Sequence, residues 1–127
     1  DHFKRFNDDF GHQKGDEVLK LVAKKVSQNI SDSLNVYRYG GEEFCITGYF
    51  DSINEIMVFA DKIRLDIASL TIRKKDDVNS KRAISASFGL AILRPFTKGS
   101  VLIERADRAL YIAKTHGRNR IEIAPDI

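Results

Sequence analysis

The sequence predicts an α+β sandwich in which a largely antiparallel sheet is flanked by helices. Three observations predict it. Four segments carry apolar residues at helical period, several others alternate at strand period, and the two kinds of segment are mixed without a strict strand-helix-strand repeat. At 127 residues and 43% hydrophobic, the chain is read as one domain over residues 1–127, long enough to bury a core.

Phe3, Phe6 and Phe10 recur at helical spacing, so His2 to Asp9 reads as a short helix ending near Gly11. From Asp16 to Ile30, the residues Leu19, Val22, Val26 and Ile30 form one apolar face of a second helix. Val36–Tyr39 and Phe44–Phe50 read as two arms of a hairpin, with the Gly40-Gly41 pair supplying positive φ at its turn. Ser52 followed by Glu55 is a capping box, and Ile53, Ile56, Met57, Ala60, Ile63 and Ile67 continue the third helix. Residues 73–82 are charged and rich in turn formers, which predicts a surface loop or hairpin tip. Ile84, Ala86, Phe88, Leu90 and Ile92 then alternate as a strand, stopped by Arg94-Pro95. Ser100 is the expected cap of a fourth helix, with Leu102, Ala106, Ala109, Leu110 and Ala113 inward and Gly117 as its stop. A last strand is expected over residues 120–124.

Twenty-one basic residues against 18 acidic leave a net charge of +3. The compact basic runs, Lys24-Lys25 and Arg73-Lys74-Lys75, have no interleaved aromatic residues on which bases could stack, which argues against a nucleic-acid binder. The single cysteine, Cys45, has no partner for an intramolecular disulfide and reads as a buried thiol in a reducing cytoplasm. No apolar run has the length of a membrane span. His2, His12 and His116 lack metal-binding spacing among themselves, and no Ser-His-Asp or Cys-His pattern is evident.

The chemistry concentrates in Arg38-Tyr39-Gly40-Gly41-Glu42-Glu43-Phe44. Two adjacent carboxylates repel each other, and no cation follows within three residues, so the pair is poor for stability. It suits a hard divalent cation and a nucleotide hydroxyl. Glycines beside it let a ligand approach the main chain.

With this run come Asp1-His2-Phe3-Lys4-Arg5-Phe6-Asn7-Asp8-Asp9-Phe10-Gly11-His12, then Gly15-Asp16-Glu17-Val18-Leu19, and near the end residues 106–120, reading ADRALYIAKTHGRNR. In order and spacing, these blocks resemble the GGDEF family of diguanylate cyclases, in the variant with Glu at the third motif position. The resemblance covers nearly the whole chain. It implies the ferredoxin-like sandwich of nucleotide cyclases and condensation of two GTP into cyclic di-GMP with release of pyrophosphate. It also implies a homodimer for catalysis and Mg²⁺ or Mn²⁺ as cofactor, with no nucleic-acid partner. The implied setting is cytoplasmic, with a sensory domain upstream in the parent protein and the parent's membrane attachment left open.

Residue by residue, the resemblance makes Glu42 a metal ligand and sets Glu43 beside the attacking ribose 3′-hydroxyl or at a second metal. Gly40 and Gly41 would let the backbone pass close to the nucleotide. The main-chain amides of Phe3 and Lys4 would meet phosphate, Lys114 and Arg118 would clamp the terminal phosphates, and Asn7 and Asp16 would read guanine. On the residues alone, Asp16 and Asn7 are helix-cap or turn residues, Glu42 is a solvated turn acid, and Lys114 and Arg118 complement a helix dipole. Two departures stand out. The family places a helix, a central strand and a further metal-ligating Asp before the position of Asp1, so the resemblance implies an N-terminally truncated domain, poorly stable and inactive by itself. The Arg-x-x-Asp product-inhibition motif is replaced by Ser31-Asp32-Ser33-Leu34. The alternative function is a non-catalytic GTP-binding module that signals through contacts.

Overall fold

The computed structural model describes residues 1–74 and 77–125 and is α+β. It comprises two compact units, one of residues 2–84 and one of Asp1 with residues 85–127.

In the first unit, α1 (Phe3–Phe10) packs on α2 (His12–Gln28). The helical spacing of the phenylalanines does what it predicts: Phe6 is buried and its ring stacks on Phe10, centroids 4.5 Å apart. Phe6, Val18 and Ile72 form a buried cluster against which Phe10, Val22 and Ile84 pack. The second helix starts four residues before its expected start at Asp16. Gly15 lies buried inside it, because tertiary contact there outweighs the poor helix propensity of glycine.

The antiparallel hairpin β1 (Leu34–Arg38) and β2 (Phe44–Gly48) runs in register from Leu34 opposite Gly48 to Arg38 opposite Phe44. Cys45, on β2, is half-buried. Helix α3 (Ile53–Ala68) begins on the expected capping box: the Glu55 amide donates to Ser52 Oγ at 3.2 Å, and the Glu55 carboxylate accepts from the Asp51 amide at 2.9 Å. Ala60, Ile63 and Ile67 are buried on its inner face, whereas Ile53, in the first turn, is exposed. Helices α2 and α3 are tied by Asn29, whose amide donates to Asp66 at 3.0 Å and accepts from Lys62 at 2.5 Å.

The charged segment is a hairpin of β3 (Thr71–Lys74) and β4 (Asp77–Ala83), antiparallel from Thr71 opposite Ala83. The loop or hairpin tip expected over residues 73–82 is therefore strand at residues 73–74 and 77–82, and residues 75–76 lie outside the described residues. Arg82 on β4 reaches α1, with its Nη2 2.6 Å from Asp9 Oδ2 and its guanidinium 4.9 Å from the Phe10 ring centroid.

In the second unit, the expected strand over residues 84–92 is shorter. Only β5 (Phe88–Leu90) forms a ladder, and it is parallel, with β6 (Ile121–Ile123). The 84–87 segment is engaged by Asp1 instead: the Asp1 nitrogen donates to Ser85 O at 2.9 Å, and both serine hydroxyls donate to the Asp1 carboxylate. Helix α4 (Gly99–Thr115) connects β5 to β6, the crossover that a parallel pair requires. Its N-cap is Lys98 rather than Ser100, and no side chain caps it. Gly89 seats it. A Cβ there would lie 2.1 Å from Ala106 O and 2.3 Å from Leu110 N, so only glycine lets the helix backbone rest on the strand. Ala109 and Ala113 are buried on the same helix. Among the described residues, no helix is long and apolar enough to cross a membrane.

Candidate active site

The β1–β2 hairpin closes on residues 39–43. The amides of Tyr39 and Gly40 both donate to Glu43 O, at 2.9 and 3.3 Å. Arg38 completes the turn from the end of β1: its Nε and Nη2 donate to Gly40 O and Gly41 O at 3.4 and 2.5 Å. This role was missed in the sequence, where Arg38 reads only as a strand residue flanking the turn. The expected reason for the glycines is also corrected. Neither Gly40 nor Gly41 has positive φ. A Cβ on Gly41 would meet nothing within 4 Å, and one on Gly40 would make only ordinary contact, 3.7 Å, with Glu43. The turn is built by hydrogen bonds from Arg38 and the backbone, and the glycines leave open space over its main chain.

Glu42 projects from this tip, exposed, with no hydrogen-bond or ion-pair partner among the described residues. Glu43 is half-buried, and its Oε2 turns back toward Gly40. Two hard oxygen donors at one tip fit Mg²⁺, which is held by one or two carboxylates with substrate oxygens and water completing its shell. Among the described residues, no group of three or more His, Cys, Asp or Glu side chains forms an all-protein cage.

A second cluster of expected residues lies where α1 meets α2. Phe3 and Lys4 open α1, and the first intrahelical bond is Phe6 N–H to His2 O, so the preceding amides have no partner within the helix. Asn7 lies directly on Gly15: a Cβ at Gly15 would fall 1.7 Å from Asn7 Oδ1 and 3.3 Å from Phe3 Cζ. Close packing thus brings Phe3 and Asn7 to the residue preceding Asp16, which is exposed. Asp16 is neither cap nor turn, since α2 already began at His12. Asn7 Oδ1 is buried and accepts no hydrogen bond, an unmet acceptor of the kind native proteins rarely tolerate without a ligand or water.

In the other unit, Lys114 is half-buried in the last turn of α4 and Arg118 follows just beyond it. Gly117 (φ 119°) ends the helix as expected, and the Arg118 amide donates to Ala113 O at 2.9 Å, closing the helix end. Arg118 and Asn119 are both left-handed, with φ of 63° and 46°.

The family described as "Diguanylate cyclase, GGDEF domain" matches residues 1–120. The chain belongs to the GGDEF family. It is 39% identical over 121 residues to diguanylate cyclase VdcA of Vibrio cholerae, covering 95% of this chain and 36% of that protein. It is also 39% identical over 123 residues to diguanylate cyclase DosC of Escherichia coli K12, covering 97% of this chain and 26% of that protein. The chain therefore spans about a third or less of these curated relatives. Among solved structures it is similar to the GGDEF domain of DgcB from Caulobacter crescentus in complex with c-di-GMP, at TM-score 0.91 and 37% identity, covering 98% of this chain and 72% of that one. The active GGEEF domain of a Vibrio cholerae diguanylate cyclase matches at TM-score 0.85 and 34% identity, covering 100% of this chain and 79% of that one. Both share the α+β architecture expected of the GGDEF sequence blocks.

Proposed function

We propose that the chain is the catalytic domain of a diguanylate cyclase, condensing two GTP into cyclic di-GMP with release of two pyrophosphates. The observation that carries the reading is the hairpin tip. Its two glycines are required by neither backbone geometry nor packing, and beside them stands a carboxylate with no described partner. A surface left open over main chain and charged in this way suits a polyphosphate and its cation better than it suits stability.

The residues divide the work as positioning and neutralisation. Glu42 would hold a divalent cation, Mg²⁺ or Mn²⁺, which when bound offsets phosphate charge. Glu43 would accept the proton of the attacking 3′-hydroxyl. The open amides at Phe3 and Lys4 would donate to phosphate oxygens, and Lys114 and Arg118 would take the terminal phosphates. The orphaned acceptor of Asn7 and the exposed carboxylate of Asp16 would receive the N–H donors of guanine. In a two-fold homodimer, each 3′-oxygen forms a bond to the α-phosphorus of the GTP on the partner subunit as the bond to pyrophosphate breaks. The substrate specificity is testable by titrating GTP and ATP, with Mg²⁺, into the full-length protein. GTP is expected to bind more tightly by about 1–3 kcal/mol, the worth of a paired polar contact, and Asp16→Ala should abolish the difference. Equal affinities for the two nucleotides in the unmodified protein would overturn the guanine-reading role.

A further inference from the structure

The Arg118–Asn119 pair is an uncommon piece of backbone. Two consecutive non-glycine residues occupy the left-handed region, where the Cβ of an L-residue crowds the following carbonyl. Such a conformation persists where its surroundings over-determine it. Three hydrogen bonds do so here. The Arg118 amide is held by Ala113 O at 2.9 Å, Arg120 O accepts from the Phe88 amide at 2.9 Å, and the Asn119 amide donates to Asp1 Oδ2 at 3.2 Å. The first two anchor the turn to α4 and to β5. The third acts on the peptide plane joining Arg118 to Asn119, so it fixes ψ of Arg118 and with it the direction in which that residue's side chain leaves the turn.

The carboxylate that does this is itself immobilised. Ser85 Oγ donates to Asp1 Oδ2 and Ser87 Oγ to Asp1 Oδ1, each at 2.7 Å, from the segment that leads into β5. Ladder, hydroxyls, carboxylate and turn form one connected set within a single unit. We infer that Asp1 is a positioning residue for Arg118: through its hold on the Asn119 amide it sets the left-handed turn and aims the Arg118 guanidinium. The inference rests on the reading of Arg118 as a clamp on the terminal phosphates of the nucleotide. Asp1 touches no substrate in this scheme and acts only through the turn. The paired hydroxyls at Ser85 and Ser87 are required because an unsupported carboxylate would not hold one amide against the turn's tendency to relax out of the left-handed region.

The test compares GTP with GMP, which lacks the phosphates that Arg118 would grip, by calorimetric titration into the full-length protein with Mg²⁺. Arg118→Ala should weaken GTP about tenfold or more and GMP by less than about twofold. Asp1→Ala should reproduce that pattern, with a GTP loss of roughly fivefold to tenfold and little change for GMP. Combined with Arg118→Ala it should add nothing, because both act on one interaction. Ser87→Ala, a milder change that keeps the carboxylate, should shift GTP alone by about twofold to threefold. A merely structural role would weaken both nucleotides together. Equal losses for GTP and GMP in both Asp1→Ala and Ser87→Ala, an additive double variant, or an Asp1→Ala protein that binds GTP normally would each overturn the inference. If Arg118→Ala itself fails to separate GTP from GMP, the clamp reading falls first and the positioning role falls with it.

Discussion

Two glycines in this domain are glycine for opposite reasons, and Gly89→Ala against Gly41→Ala separates them. A Cβ at Gly89 would sit 2.1 Å from Ala106 O, 2.3 Å from Leu110 N and 2.8 Å from Leu110 Cα, all of them backbone atoms that no side-chain rotation can clear. Real Cβ contacts stay beyond 3.0 Å, so α4 and β5 must part by about 1 Å. That separation opens the packing of a helix whose buried face is built from Ala109 and Ala113. Overpacking against backbone belongs at the upper end of its usual range, about 3 kcal/mol, offset by about 0.5 kcal/mol from the less flexible unfolded chain. The net loss of about 2.5 kcal/mol corresponds to roughly a 10 °C fall in the domain's melting temperature. At Gly41 the added methyl meets nothing within 4 Å, and the backbone lies outside the left-handed region, so stability should stay within about 0.5 kcal/mol. Yet the methyl occupies the space over the main chain where the nucleotide is proposed to pass, so GTP binding should fall. Urea unfolding and GTP titration of both variants in the full-length protein check this. A Gly89→Ala protein that loses less than 1 kcal/mol would refute the packing argument. A Gly41→Ala protein that keeps wild-type GTP affinity would refute the account of the tip.

Three further outcomes are expected. Glu42→Ala should leave the unfolding midpoint nearly unchanged, because the side chain is exposed and lacks a described partner, while turnover of GTP falls below detection; substantial residual turnover would remove Glu42 from the metal site. The Asn29 amide hydrogen bond, followed by Lys62 and Lys25, holds the Asp66 carboxyl below its ordinary value of 3.8 against a desolvation effect in the opposite direction. Because the folded-state value is depressed, this contribution to stability is complete above pH 3.8 and is lost as pH falls through the depressed value; an NMR titration should show Asn29→Ala moving the midpoint upward, and an unmoved midpoint would contradict the assignment. Inhibition by cyclic di-GMP through the surface before the hairpin should be weak, since the positions of the family's Arg and Asp hold Ser31, whose hydroxyl pairs with Ser33 at 2.9 Å, and the buried Leu34; sub-micromolar inhibition that disappears on mutating this segment would contradict it.

What could be read in the sequence was local. Helical spacing, the Ser52–Glu55 capping box and the Gly117 stop depend on neighbours within one or two turns, and each is found as expected. The hairpin and its acidic tip were legible for the same reason, as were the residue types of the candidate site. The unread features depend on distant partners. Strand β3 has Ile72 as its one large apolar residue, preceded by Thr71 and followed by Arg73 and Lys74, so no alternation announces it. The α2 start was hidden by Gly15, whose place in a helix makes sense only with Asn7 and Phe3 packed over it. The parallel pairing of β5 with β6 and the hold of Asp1 on Ser85, Ser87 and Asn119 join residues 84 to 118 positions apart or strands separated by a whole helix. Arg38 was visible, but its bonds to the turn carbonyls follow from the loop's conformation and not from its spacing.

The most direct test of the central claim is product analysis. The purified full-length protein is incubated with GTP and Mg²⁺, and the nucleotides are separated and identified by mass spectrometry, with Glu42→Ala alongside. The account predicts cyclic di-GMP and two pyrophosphates for each pair of GTP consumed by the unmodified protein, and none from the variant. Tight binding of GTP without any conversion would contradict it and mark the domain as a nucleotide-binding signalling module.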